Sequence, residues 1–148
     1  QDPSYALGAL IVMGIWGIGN TIIIYLSGLQ GVPEELYEAA ELDGAGRFRR
    51  FFSITLPMIS PTIFFNLIMG IIGGFQYFTQ AFVMTNGGPL NSTLFYNLYL
   101  YNKAFQDYEM GYASALSWIL FVIILVFTLL VIRSSSMWVY YQGDDDKD

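Results

Sequence analysis

The chain has 148 residues, 55% of them hydrophobic and 12% charged, with a formal net charge of −6 and neither cysteine nor histidine. A soluble domain of this size carries about twice that charged fraction. The missing residue types exclude disulfides, thiolate chemistry, zinc sites built on Cys or His, and histidine acid–base catalysis. No metal site, cofactor or catalytic residue is expected, and no basic stripe supports binding to nucleic acid.

The chain opens on Gln1 and not on methionine, so an N-terminal portion of a longer protein is expected to precede it. Nothing charged lies between Asp2 and Glu34, between Arg50 and Lys103, or between Glu109 and Arg133, gaps of 31, 52 and 23 residues. A bilayer core of about 30 Å needs about 20 apolar helical residues, so each gap can hold a membrane span. The first span is predicted over residues 5–29. Gln30-Gly31-Val32-Pro33 then stops it and starts a short helix over 33–44. Pro33 suits the first turn of that helix, and Glu34, Glu35 and Glu38 suit its positive end. Asp43-Gly44-Ala45-Gly46 offers the left-handed geometry of a helix stop.

The gap from Phe51 to Asn102 cannot be one helix, because at 1.5 Å per residue it would run for about 80 Å. Asn86-Gly87-Gly88-Pro89 marks its break. The second span is therefore predicted over 54–79, with Pro57 and Pro61 in its first turns, where missing amide donors cost little. Residues 94–108 alternate aromatic and polar side chains and read as an interfacial helix. The third span covers 110–132, closed by Arg133, and residues 134–148 form a tail whose end carries Asp144, Asp145, Asp146 and Asp148. Arg47, Arg49, Arg50 and Arg133 fall on one side of the membrane and Lys103 alone on the other. The positive-inside rule then makes the loop around residue 40 and the C-terminus cytoplasmic.

That loop reads Glu38-Ala39-Ala40, three residues, Gly44, nine residues, then Ile54-Thr55-Leu56-Pro57. This resembles the EAA loop of the permease subunits of binding-protein-dependent ABC importers at every position of the pattern. Thr85-Asn86-Gly87-Gly88-Pro89, Ser92-Thr93-Leu94, Tyr99-Leu100-Tyr101, Ala104-Phe105 and Gly111-Tyr112-Ala113-Ser114-Ala115 narrow it. They resemble the carbohydrate-uptake branch, the maltose and glycerol-3-phosphate permease type. The resemblance implies an all-α integral membrane fold. Its three transmembrane helices would form the C-terminal half of a six-span core, with a cytoplasmic coupling helix.

In the resembled family the coupling helix docks on a cytoplasmic ATPase subunit, which puts Glu38, Ala39, Ala40, Asp43 and Gly44 in that contact. Small residues such as Ala39 and Ala40 let another backbone approach, and Glu38 can pair at the rim. The other implied partners are a second and usually different permease subunit, an extracytoplasmic solute-binding protein facing residues 86–93, a sugar and membrane lipid. The implied setting is a prokaryotic cytoplasmic membrane. Phosphate, polyamine and peptide importers share the EAA loop but not the later motifs.

For the solute pathway the resemblance points to Trp16, Gly17 and Asn20 on the first span and to Gly70, Gly73, Gly74 and Tyr77, with Asn66, on the second. Glycines in a membrane helix either admit a neighbouring helix or leave room for a ligand, and both readings fit here. The chain is not expected to be an enzyme. Neither Lys103 nor Lys147 follows a glycine, so no phosphate-binding GxxxxGK loop exists and ATP hydrolysis falls to another chain. A secondary transporter or channel is the alternative class, but ion-coupled carriers place ionisable residues inside the membrane and these spans have none.

Overall fold

The computed structural model describes residues 3–140, and every regular element among them is helical. The acidic end of the tail lies outside the described residues. Helix α1 covers Pro3–Trp16 and α2 covers Gly19–Gln30, where one unbroken helix is predicted over 5–29. Between them the chain tightens: Gly17 N–H donates to Gly14 O at 3.1 Å and Ile18 N–H to Ile15 O at 3.2 Å. Gly14, Gly17 and Gly19 are the cause, since each glycine costs a helix about 1 kcal/mol relative to alanine.

Helix α3 covers Glu34–Leu42. Helix α4 covers Arg47–Met58, bends by 63° at Ile59 and passes into α5, Ser60–Phe75. Pro61 therefore does fall in a first turn, that of α5, whereas Pro57 lies near the end of α4. The helix already starts at Arg47, which places Pro57 and Pro61 across an interior break. Pro61 has no N–H to offer the Pro57 carbonyl four residues back. A capping backbone N–H and Ser60 Oγ, at 2.6 Å, donate to that carbonyl instead. Helix α5 ends at Phe75, four residues before the predicted boundary, and a π-helical turn at Ala81–Thr85 follows. Helix α6, Tyr96–Tyr101, continues as a π turn over Asn102–Gln106, and α7 covers Met110–Ser135.

These elements form two compact units. One joins residues 3–18 to Met69–Leu130. Its core is Leu10, Ala81 and Leu98, with Tyr77, Phe78, Phe82, Leu94 and Phe95 packed against them. Of the aromatic residues expected at an interface, Tyr101 packs inward, its ring centroid 5.2 Å from those of Phe78 and Phe82 and 5.0 Å from that of Phe105, whereas Phe105 and Tyr108 are exposed. The other unit joins Gly19–Ile68 to residues 131–140. In it α2 and α5 approach closely at Gly28, and the tail folds back so that Tyr140 N–H donates to Ser60 Oγ at 2.8 Å.

Helix α7 is long and apolar enough to cross a membrane; counting α1 with α2 and α4 with α5 as interrupted spans raises the number to three among the described residues. Its outward residues are apolar almost throughout, with Trp118, Leu129 and Leu130 all more than half exposed.

Candidate functional site

Helix α3 is stopped at both ends by backbone chemistry. Pro33 precedes it in extended conformation, and Glu34 and Glu35 occupy its first turn, where the helix dipole favours negative charge. At the other end Ala45 N–H donates to Ala40 O at 2.9 Å and Gly44 N–H to Glu41 O at 3.0 Å. That pair of bonds is a Schellman stop, which needs a left-handed residue after the cap. Gly44 supplies it, with φ of +74°. Asp43 is the cap itself and is exposed.

The helix presents two faces. Glu35, Glu38, Ala39 and Leu42 are all exposed and share one stripe at i, i+3, i+4 and i+7. Leu42 is 90% exposed. Tyr37 and Ala40 are half-buried on the opposite side, so Ala39 and Ala40 do not share a surface. Tyr37 Oη lies 2.8 Å from Thr55 Oγ1 on α4, and Arg50 donates to Glu41 Oε2 at 3.0 Å. Leu42, Tyr37 and Thr55 are missing from the sequence-derived set. An apolar residue four positions after Glu38 on a strongly acidic helix is the signal that could have marked Leu42.

The pathway residues are divided between the two units: Trp16 and Gly17 belong to one and Asn20 to the other. Trp16 is 95% exposed. Gly70, Gly73 and Gly74 share an open row on α5, and a methyl group added to any of them would meet nothing within 4 Å. Gly28 behaves differently, because an added methyl would come within 2.6 Å of Thr62 Oγ1. Gly28 is thus a packing glycine that sequence reading passed over. Tyr77 stacks edge-on against Phe95 at 5.0 Å, and its buried hydroxyl has no hydrogen-bond partner among the described residues. Asn66 is turned back on its own helix, donating to Thr62 O at 2.9 Å.

The loop over residues 86–93 is held by a hydroxyl clasp. Thr93, only 1% exposed, donates to Gly88 O at 2.9 Å and lies 2.7 Å from Thr85 Oγ1. At its tip Leu90 and Asn91 adopt φ of 51° and 60°, a region that apolar side chains rarely occupy. Leu90 is 89% exposed there. Beyond α6, Lys103 Nζ pairs with Asp107 at 2.9 Å and Glu109 at 3.3 Å. The Asp107 bond, then the Glu109 bond, raise the Lys103 ammonium above its ordinary range. Ser117 donates to Ala113 O on its own helix at 3.0 Å, as a packed helical serine does.

The sequence profile of the binding-protein-dependent transport system inner membrane components matches residues 3–141. The chain belongs to that family. It is 45% identical over 148 residues to the probable ABC transporter permease protein YesP of Bacillus subtilis, covering 99% of this chain and 48% of the relative. The multiple sugar-binding transport system permease protein MsmF of Streptococcus mutans is 43% identical over 131 residues, 88% of this chain and 45% of MsmF. The sulfoquinovosyl glycerol transport system permease protein SmoG of Agrobacterium fabrum is 38% identical over 134 residues, 90% and 44%. The chain thus spans about half the length of these curated relatives.

Proposed function

We propose that this chain is the C-terminal part of the permease subunit of an ABC importer for a sugar, and that α3 is the helix through which a separate ATPase subunit drives it. The observation that carries the reading is the built knob at α3. Its start is fixed by Pro33, its end by Gly44 in a Schellman stop, and its exposed stripe offers two carboxylates, one small residue and one leucine. A helix fixed at both ends in this way can be displaced as a unit without melting. Leu42 supplies an apolar anchor and Glu35 and Glu38 a charged rim, the arrangement of a compact protein contact.

The sugar is supported by the names of MsmF and SmoG. The three-span topology is supported by the length and hydropathy of α7 and of the two interrupted helix pairs. Arg47, Arg49 and Arg50 at the start of α4 and Arg133 in the last turn of α7 favour a cytoplasmic α3 and C-terminus. Lys103 opposes them as one basic residue against four. A second permease subunit would complete the pathway, with Gly70, Gly73, Gly74 and Tyr77 open toward it or toward solute. On the opposite side, the clasped loop at Leu90 would meet the solute-binding protein. Two ATPase subunits closing on ATP would move α3, and alternating access would follow.

The test is reconstitution of the full-length permease with its partner permease and ATPase in proteoliposomes, supplied with the cognate solute-binding protein and a panel of labelled sugars. The expected result is ATP-dependent uptake of a sugar, abolished by Glu38→Lys combined with Leu42→Asp. Uptake that persists without the ATPase subunit would contradict the reading.

A further inference from the structure

Helices α3 and α4 are joined by a turn containing Gly44 and Gly46, a connection that could flex under load. Two side-chain ties bridge it. In the Glu41–Arg50 pair the arginine side chain is 23% exposed but the carboxylate side chain is 73% exposed, and ion pairs with a partner in solvent hold geometry weakly. The second tie differs in kind. Thr55 is 9% exposed and Tyr37 half-buried, and their hydroxyls lie 2.8 Å apart. A hydrogen bond shielded from water resists displacement better than an exposed one. Thr55 also closes the π-helical turn Phe51–Thr55, four residues before the break at Ile59. Single π turns inside α-helices recur at functional positions.

We infer that Tyr37 is a positioning residue whose bond to Thr55 makes α3 and α4 move as one body, so that displacement of α3 turns α4 about the break at Ile59. Without the bond, the glycine turn absorbs the displacement and the spans do not follow. The inference rests on the reading of α3 as the ATPase-docking helix.

The experiment uses the full-length permease assembled with its partner permease and ATPase in proteoliposomes. It measures ATPase retained on co-purification, ATP hydrolysed and solute transported. Tyr37→Phe and Thr55→Val each remove one hydroxyl. Solute carried per ATP is expected to fall roughly three- to tenfold in either variant, the range of one hydrogen bond. The double variant should be no worse than a single one, and ATPase retention should be unchanged. An unchanged ratio with ATPase retained overturns the inference, as does an additive double variant. Loss of the ATPase from Tyr37→Phe also overturns it, since Tyr37 would then serve docking itself. With the rest of the full-length permease and its partner subunits first made cysteine-free, as this chain already is, a Tyr37→Cys, Thr55→Cys pair gives a second reading that holds even if Tyr37→Phe fails to accumulate. Bridging the pair with a short bis-methanethiosulfonate should restore the ratio that the unbridged pair loses. No restoration overturns the inference. Failure of wild type to retain any ATPase would instead overturn the docking reading beneath it.

Discussion

The amide of Ala45 donates to the carbonyl of Ala40 at 2.9 Å, and the bond can form only because Gly44 between them turns left-handed. Space is not what demands glycine there: an added methyl would meet nothing within 4 Å. The demand is conformational, about 1–2 kcal/mol for an ordinary L-residue held in that region. Gly44→Val is therefore expected to unwind the last turn of α3 and to lower uptake strongly. Gly44→Asn, which visits the left-handed region more readily, should retain most of it. ATP-driven uptake by full-length permease in proteoliposomes checks the order; equal activity of both variants would contradict it.

Gly28 makes the opposite prediction, because its constraint is steric. A methyl there would lie 2.6 Å from Thr62 Oγ1 and 3.2 Å from Thr62 Cγ2. Gly28→Ala should destabilise by about 1–3 kcal/mol, the usual cost of overpacking. Thr62→Ala in the same chain should recover much of that loss. Thermal melting of the permease in detergent reads both. By contrast, Gly70→Ala should leave the melting temperature nearly unchanged.

The cap chemistry of α3 was legible in the sequence because it is local: Pro33, the early glutamates and Gly44 act within a turn of where they stand. The break at Ile59 was not, although both prolines were plain. The span was expected to start at residue 54, whereas helix already runs from Arg47, so Pro57 falls near the end of α4 and only Pro61 keeps a first-turn place, in α5. Glycines are common in membrane helices, so Gly14, Gly17 and Gly19 gave no clear stop. The role of Gly28 needed its partner Thr62, 34 positions away. Leu42 shares the stripe of Glu38 by helical spacing, but that this stripe faces outward depends on the contact of Tyr37 with Thr55 on α4.

Ser60 joins the break to the tail. Its hydroxyl donates to Pro57 O and accepts the Tyr140 N–H, and the residue is 4% exposed. Ser60→Ala takes one of two donors from Pro57 O, which keeps a backbone N–H, and removes the acceptor of the Tyr140 N–H, at a cost of about 0.5–1.5 kcal/mol per bond. Amide exchange at Tyr140 should accelerate in that variant and stay slow in Ser60→Thr. Unchanged exchange in Ser60→Ala would show that the tail is held by other contacts, such as Trp138 against Phe64 at 6.0 Å.

The Lys103 cluster predicts a flat response over ordinary pH. Its ammonium is raised by Asp107 first and Glu109 second. A raised lysine contributes its stabilisation fully below the unperturbed value of about 10.4 and loses it only as pH climbs beyond. The small destabilisation caused by Lys103→Gln should thus be equal at pH values of about 7 and 9 and shrink with added salt, since both carboxylate partners are about half exposed. Melting curves at the two values decide it.

The most direct measurement is co-purification of the full-length permease with its ATPase subunit, comparing wild type with Glu38→Lys, Leu42→Asp and the pair together. Retention by wild type, weakening in each single variant and loss in the pair are the predicted results. They would make the exposed stripe of α3 the docking surface. Undiminished retention in the double variant, with the permease folded and the second subunit still bound, would contradict it.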